Sequence, residues 1–167
     1  GADIKDVTKL IDIIEQMPEA DSDRIAMMGW SRGGSQTYAT LQQTDQIKAA
    51  VVIAGPTDYL KGLEWRQEME NVYRIRIPNY DKNKVAELTK RSVVKNVDKL
   101  PAEVPILLVH GDKDIKVSVE HAYLLANELT RLARPHKLLV YKNDNHALKR
   151  HKKQLYADII SWLKANL

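Results

Sequence analysis

The chain has 167 residues, a formal charge of +4 at pH 7, and a composition that is 44% hydrophobic and 29% charged. That length and balance describe one soluble-type globular domain with a real core, and exclude a two-domain or disordered chain. The absence of cysteine excludes disulfides and thiolate metal sites and accords with a cytoplasmic location, while no run reaches membrane-spanning length and no secretory leader is legible, which leaves export open.

Residues 3–17 repeat apolar positions at helical spacing: Ile4, Val7, Leu10, Ile11, Ile14 and Met17. Pro18 stops that helix. Arg24-Ile25-Ala26-Met27-Met28-Gly29, bounded by Asp21-Ser22-Asp23, reads as a buried strand. A turn, Gly29-Trp30-Ser31-Arg32-Gly33-Gly34, follows, and then a helix over about 32–43. Strand, G-x-S-x-G, helix is the context in which that motif carries chemistry. A sharp turn lifts the Ser31 hydroxyl clear of the sheet, and side chains at Gly29 or Gly33 are expected to collide with neighbouring backbone. The helix that opens there aims backbone N–H groups, that of Arg32 first, toward the place where an oxyanion forms.

Lys48–Ala54 is a second buried strand, closed by Gly55-Pro56. Asp58, just past it, reads as the cap of the next helix or as part of a pocket. From Asp58 to about Leu100 the pattern is polar and partly helical, an excursion that either shapes a pocket or packs over the sheet edge. Pro105–His110 is the third strand, Gly111-Asp112-Lys113-Asp114 the turn after it, and Ser118 can cap the helix that follows. Lys137–Tyr141 is the fourth strand, Asn143–His146 a loop, and a last helix runs over about 148–165. Strands alternating with helices predict an α/β fold, a three-layer α/β/α sandwich on a mainly parallel sheet. In such sheets the working site lies at the carboxyl ends of the strands.

Ser31, Asp114 and His146 each stand just past a strand's carboxyl end. A serine needs a base in reach, and the base needs an orienting acid. Asp112 competes with Asp114 but sits tighter to its strand. Among the other histidines, His110 ends a strand and reads as packed, His121 lies in a helix, His136 begins a strand at the opposite end of the sheet, and His151 falls in the last helix. The Arg32 side chain divides between covering the turn and binding a substrate carboxylate. Lys149, Arg150, His151, Lys152 and Lys153 hold much of the excess charge. Without interleaved aromatics they read as a solvated helix face, so no nucleic-acid partner is expected, and nothing suggests a membrane one.

Met28-Gly29-Trp30-Ser31-Arg32-Gly33-Gly34, Ala54-Gly55-Pro56-Thr57-Asp58, Val109-His110-Gly111-Asp112-Lys113-Asp114-Ile115-Lys116-Val117 and Asn145-His146 together resemble the catalytic domain of the prolyl oligopeptidase family of serine peptidases, over nearly the whole chain. The resemblance implies an α/β-hydrolase fold, cofactor-independent hydrolysis of peptide or acyl bonds through an acyl-enzyme, and Asp114 as the acid. A carboxylesterase and a non-catalytic module on the same fold are the alternatives. It departs from many relatives in placing Arg32, not an aromatic, after the serine. It also implies that family members carry about half a domain before the equivalent of residue 1, including early strands and the loop with the second oxyanion donor. On that comparison these four strands form the C-terminal half of the fold, and the edge of strand 24–29 is expected to be covered by a second copy or by an N-terminal fragment.

Overall fold

Short aliphatic runs bounded by turn residues become four strands: β1 (Ile25–Trp30), β2 (Ile47–Ile53), β3 (Ile106–Gly111) and β4 (His136–Tyr141). They belong to a computed structural model that describes residues 3–167. All three pairings are parallel, and the sheet order is β1-β2-β3-β4. The helices are α1 (Asp3–Ile14), α2 (Arg32–Leu41), α3 (Tyr59–Trp65), α4 (Met69–Arg76), α5 (Tyr80–Arg91), α6 (Glu120–Arg131) and α7 (Lys152–Asn166), with two short 3₁₀ turns at Val93–Lys95 and Val97–Lys99.

The two-residue period of the strands divides the core between the faces of the sheet. Ile25, Ala50, Val52, Ile106 and Leu108 point to one side, where they meet Ile11 of α1, Tyr38 and Leu41 of α2, and Leu125 and Leu129 of α6. Val51, Ile53, Leu107 and Val109 point to the other, against Leu155 and Ile159 of α7. β2 and β3 are covered on both sides, which explains their unbroken apolar sequences. Each fully buried leucine here contributes about 1.5–3 kcal/mol of transfer free energy.

Several sequence expectations are corrected. α1 ends at Ile14, and Leu10 and Met17 lie in solvent while Ile4 and Ile11 are buried. The apolar stripe is therefore wider than the strip the sheet covers. β1 is buried on one face only: Ile25 and Gly29 are covered, but Met28 is 58% exposed, because α7 packs over β2 and β3 and leaves that face bare. The last helix begins at Lys152 rather than near 148, for a reason found in the loop before it. Ser118 accepts a hydrogen bond from the Glu120 backbone (3.3 Å), one residue outside the α6 cap position held by Val119.

The excursion between β2 and β3 has a small core of its own. Tyr73, Ile77, Tyr80 and Leu88 are buried together, with Tyr59, Leu60, Leu63 and Met69 packed against them. Asp58 caps α3 by accepting the N–H groups of Leu60 (3.0 Å) and Lys61 (3.1 Å). His121 of α6 ties this unit to the sheet. Its Nδ1 accepts the backbone N–H of Thr57 (3.1 Å) and of Asp58 (3.3 Å), while Thr57 Oγ1 donates to the His121 carbonyl (2.7 Å). Trp65 closes edge-on over the ring at 4.8 Å between centroids.

A ring whose Nδ1 accepts two backbone N–H groups has to be neutral. Burial, and then the neighbouring His110, lower the His121 pKa from 6.5 to about 4, against the opposing pull of Asp58 and Asp114. The unfolded chain therefore takes up this proton first. His121 contributes its full stability above about pH 6.5 and loses it as pH falls toward 4, a change on the order of 3 kcal/mol. Denaturant titrations between pH 7 and 4 are expected to show this loss, and a His121→Asn variant, which keeps an acceptor but has no titrating ring, to lack that part of it. Equal pH dependence in the two proteins contradicts the assignment.

Candidate active site

The loops that leave the carboxyl ends of β1, β3 and β4 converge on one rim of the sheet. Ser31 sits between β1 and α2 at φ 56°, ψ −119°, a conformation costly for a residue with a side chain. Two backbone bonds hold it there: the Ser31 N–H donates to the Ile53 carbonyl (2.8 Å) and the Gly34 N–H to the Ser31 carbonyl (2.9 Å). Its hydroxyl makes no capping bond to α2, so the helix does not consume it.

The glycines around it have unequal roles. A Cβ at Gly29 would lie 2.2 Å from the Gly33 carbonyl oxygen, and one at Gly34 would lie 2.9 Å from the Gly55 Cα. Gly33 itself faces open space, and a Cβ there would meet nothing within 4 Å. The expected collision at Gly33 is thus absent. Its carbonyl is the obstacle that requires glycine at position 29, and Thr37 Oγ1 holds that carbonyl by donating to it (3.0 Å).

Asp114 lies in the loop after β3, its carboxylate out of contact with solvent. Oδ1 accepts the backbone N–H groups of Lys116 (2.8 Å) and Val117 (3.0 Å). Oδ2 accepts from His146 Nδ1 at 2.7 Å and lies 3.3 Å from His110 Nε2. Burial pushes this carboxyl's pKa up, but the contacts from His110, His146 and the two N–H groups outweigh it and hold the group well below the usual carboxylate range. Asp114 is therefore an anion at neutral pH, and an anion only accepts. The His146 proton must lie on Nδ1, which leaves Nε2 with a lone pair to take a proton from an alcohol.

Asp112, the competing acid, is used elsewhere: its Oδ1 accepts the Asn143 N–H (2.6 Å), joining the β3 and β4 loops. Of the three residues taken from sequence, Asp114 and His146 meet in a direct hydrogen bond. Ser31 is brought to the same rim through its neighbour, because Trp30 Nε1 donates to the His146 carbonyl at 3.0 Å. The serine hydroxyl is not hydrogen-bonded to the imidazole among the bonds of the described residues.

Sequence reasoning missed the residues that hold the His146 loop. Asp144 is buried and accepts the backbone N–H groups of Asn145 (2.9 Å) and His151 (3.0 Å) as well as His151 Nδ1 (2.9 Å). Burial raises its pKa, and the bonds from His151 and the backbone lower it further than burial raises it. His151 stacks on Tyr141 at 5.1 Å. Those bonds keep 144–151 as a loop, with Leu148 buried at φ 47°, and postpone α7 to Lys152. His151 is thus the residue preceding α7 and a partner of Asp144, not a member of a solvated helix face. The one visible signal was an aspartate seven residues before a histidine in a segment otherwise read as helix. His136 bonds the Arg134 carbonyl (2.9 Å) at the far end of the sheet, away from this rim. No cluster of three or more metal-ligating side chains occurs among the described residues, and none of their helices is long and apolar enough to cross a membrane.

The pattern that defines the prolyl oligopeptidase family matches residues 1–167. The chain belongs to the prolyl oligopeptidase family. Among curated relatives, the "Uncharacterized peptidase YtmA" of Bacillus subtilis is 29% identical over 166 residues, covering 98% of this chain and 64% of that protein. The "Uncharacterized peptidase YuxL" of the same organism is 27% identical over 90% of this chain and 23% of its own length. The chain therefore spans less than two thirds of either relative. Among solved structures, Pyrococcus horikoshii acylaminoacyl peptidase superposes with a TM-score of 0.85 at 20% identity, over 99% of this chain and 28% of that one. A Mycobacterium tuberculosis puromycin-hydrolyzing peptidase gives 0.75 at 27% identity, over 86% and 22%. The four-stranded α/β sheet is that of the α/β-hydrolase peptidases of this family.

Proposed function

We propose that this chain carries the nucleophile, base and acid of a serine hydrolase that cleaves peptide or acyl bonds through an acyl-enzyme. The observation that supports it most is the 2.7 Å bond from His146 to a buried, ionised Asp114, on the rim where Ser31 sits in a strained turn. Ser31 Oγ attacks the substrate carbonyl while His146 Nε2 takes its proton. The backbone N–H of Arg32, in the first turn of α2, stabilises the oxyanion. His146 then returns the proton to the leaving group, and water repeats the sequence on the acyl-serine. Asp114 keeps the imidazole in the Nδ1–H tautomer and offsets the charge it gains. This chemistry requires no metal or organic cofactor.

A fluorophosphonate tests the reading directly, because it phosphonylates only an activated serine. Peptide mapping is expected to find the adduct on Ser31, none on Ser31→Ala, and labelling slowed by about a hundredfold or more in His146→Ala. Equal labelling of Ser31→Ala and wild type contradicts it.

The edge of β1 is part of the same proposal. β1 pairs with β2 alone among the described strands, and Met28 beside that edge is bare. A row of unpaired backbone groups with apolar side chains is a template for another strand. Its occupant is a second copy of this chain about a two-fold axis or a separate N-terminal fragment. Sedimentation is expected to give a dimer in the first case, and in the second a monomer that binds the added fragment. A monomer that binds neither overturns the proposal.

A further inference from the structure

His110 is the last-but-one residue of β3 and its side chain is 1% exposed. Catalysis as described makes no use of it. A buried imidazole without a purpose would be better replaced by an aliphatic side chain, as at the other inward positions of β3. Its Nε2 lies 2.8 Å from the Val117 carbonyl oxygen. A carbonyl only accepts, so the His110 proton is on Nε2 and is donated there. The same Nε2 lies 3.3 Å from Asp114 Oδ2, the oxygen that faces His146.

Val117 closes the circuit. Its N–H donates to Asp114 Oδ1 (3.0 Å) while its carbonyl accepts from His110. Asp114 Oδ1 is therefore held through Val117, Oδ2 faces the same Nε2 edge, and both contacts run back to one ring on an inner strand of the sheet. Without that ring the Val117 carbonyl would lose its buried donor, and Asp114 would keep only the backbone turn and His146 itself.

We propose that His110 is a positioning residue, which locks the loop 112–117 and holds Asp114 Oδ2 in line with His146 Nδ1. The assignment rests on the serine-hydrolase reading for its consequence in turnover, but its geometry is independent of Ser31.

Two substitutions separate positioning from bulk. His110→Leu fills the space and removes the donor, and His110→Gln keeps a nitrogen donor at a similar reach. The first readout is the proton NMR resonance of the His146 Nδ1–H bound to Asp114, which requires no turnover. It is expected far downfield in the wild type, retained in His110→Gln, and shifted upfield or lost to solvent exchange in His110→Leu. The second is steady-state kinetics. His110→Leu is expected to lower kcat about tenfold with KM within about twofold, and His110→Gln to recover most of the loss. An unshifted resonance and wild-type kcat in a folded His110→Leu overturn the proposal. Should His110→Leu fail to fold, nitrogen-15 NMR of the wild type decides: a proton on His110 Nε2 together with an intact resonance in His110→Gln supports it, and a proton on Nδ1 overturns it. If the resonance responds as expected while fluorophosphonate leaves Ser31 untouched, the hydrolase reading falls and the positioning assignment stands.

Discussion

The rim of this protein is organised by one buried anion. Taking the Asp114 carboxylate out of water costs several kcal/mol, and it is tolerated only because donors surround it. Two come from its own turn and one from His146, and the Nε2 edge of His110, whose proton goes to the Val117 carbonyl, faces the same carboxylate. Because those groups belong to β3, to the loop after β3 and to the loop after β4, satisfying the charge brings those three parts into register. An uncompensated carboxylate there would be neutralised or driven to solvent, and the imidazole would lose the partner that sets its tautomer.

The second constraint is backbone strain at Ser31. Its positive φ is sustained by a bond to β2, by the Gly29–Gly33 approach and by the packing of Gly34 against Gly55. Strain of this kind persists only where surrounding structure over-determines it. Here the neighbours that do so are strands and the helix they feed, rather than flexible loops. Trp30 then bonds the His146 loop to the same turn, so that serine and histidine share a frame although 115 positions of chain separate their neighbourhoods.

Much of this was legible in the sequence, and the limits have physical reasons. β2 and β3 were plain because both faces are buried and their residues are all apolar. The turn at Ser31 was plain because glycines on both sides of a serine, between a strand and a helix, have few other uses. Reach and resemblance favour Asp114 over Asp112, and it is Asp114 that bonds His146 while Asp112 bonds the Asn143 N–H. The exposure of β1 was not legible, since the sequence records the apolar character of a strand and not whether anything covers it. The crowding falls on Gly29 and not on Gly33, because the motif does not say which glycine is crowded. The delayed start of α7 was hidden because Asp144 takes up backbone donors that the periodic pattern assigns to a helix. His110 looked like core for a good reason: it is core, and its bond to Val117 depends on a turn whose shape no spacing rule supplies.

The central claim is that Ser31, His146 and Asp114 act as one unit. The most direct test is turnover of a peptide or ester substrate by the three single alanine variants and the triple variant, with folding checked for each. Parts of a single machine fail together, so the loss in Ser31→Ala or His146→Ala should nearly equal that of the triple variant. Losses that multiply from one variant to the next, as for independent sites, would contradict the account.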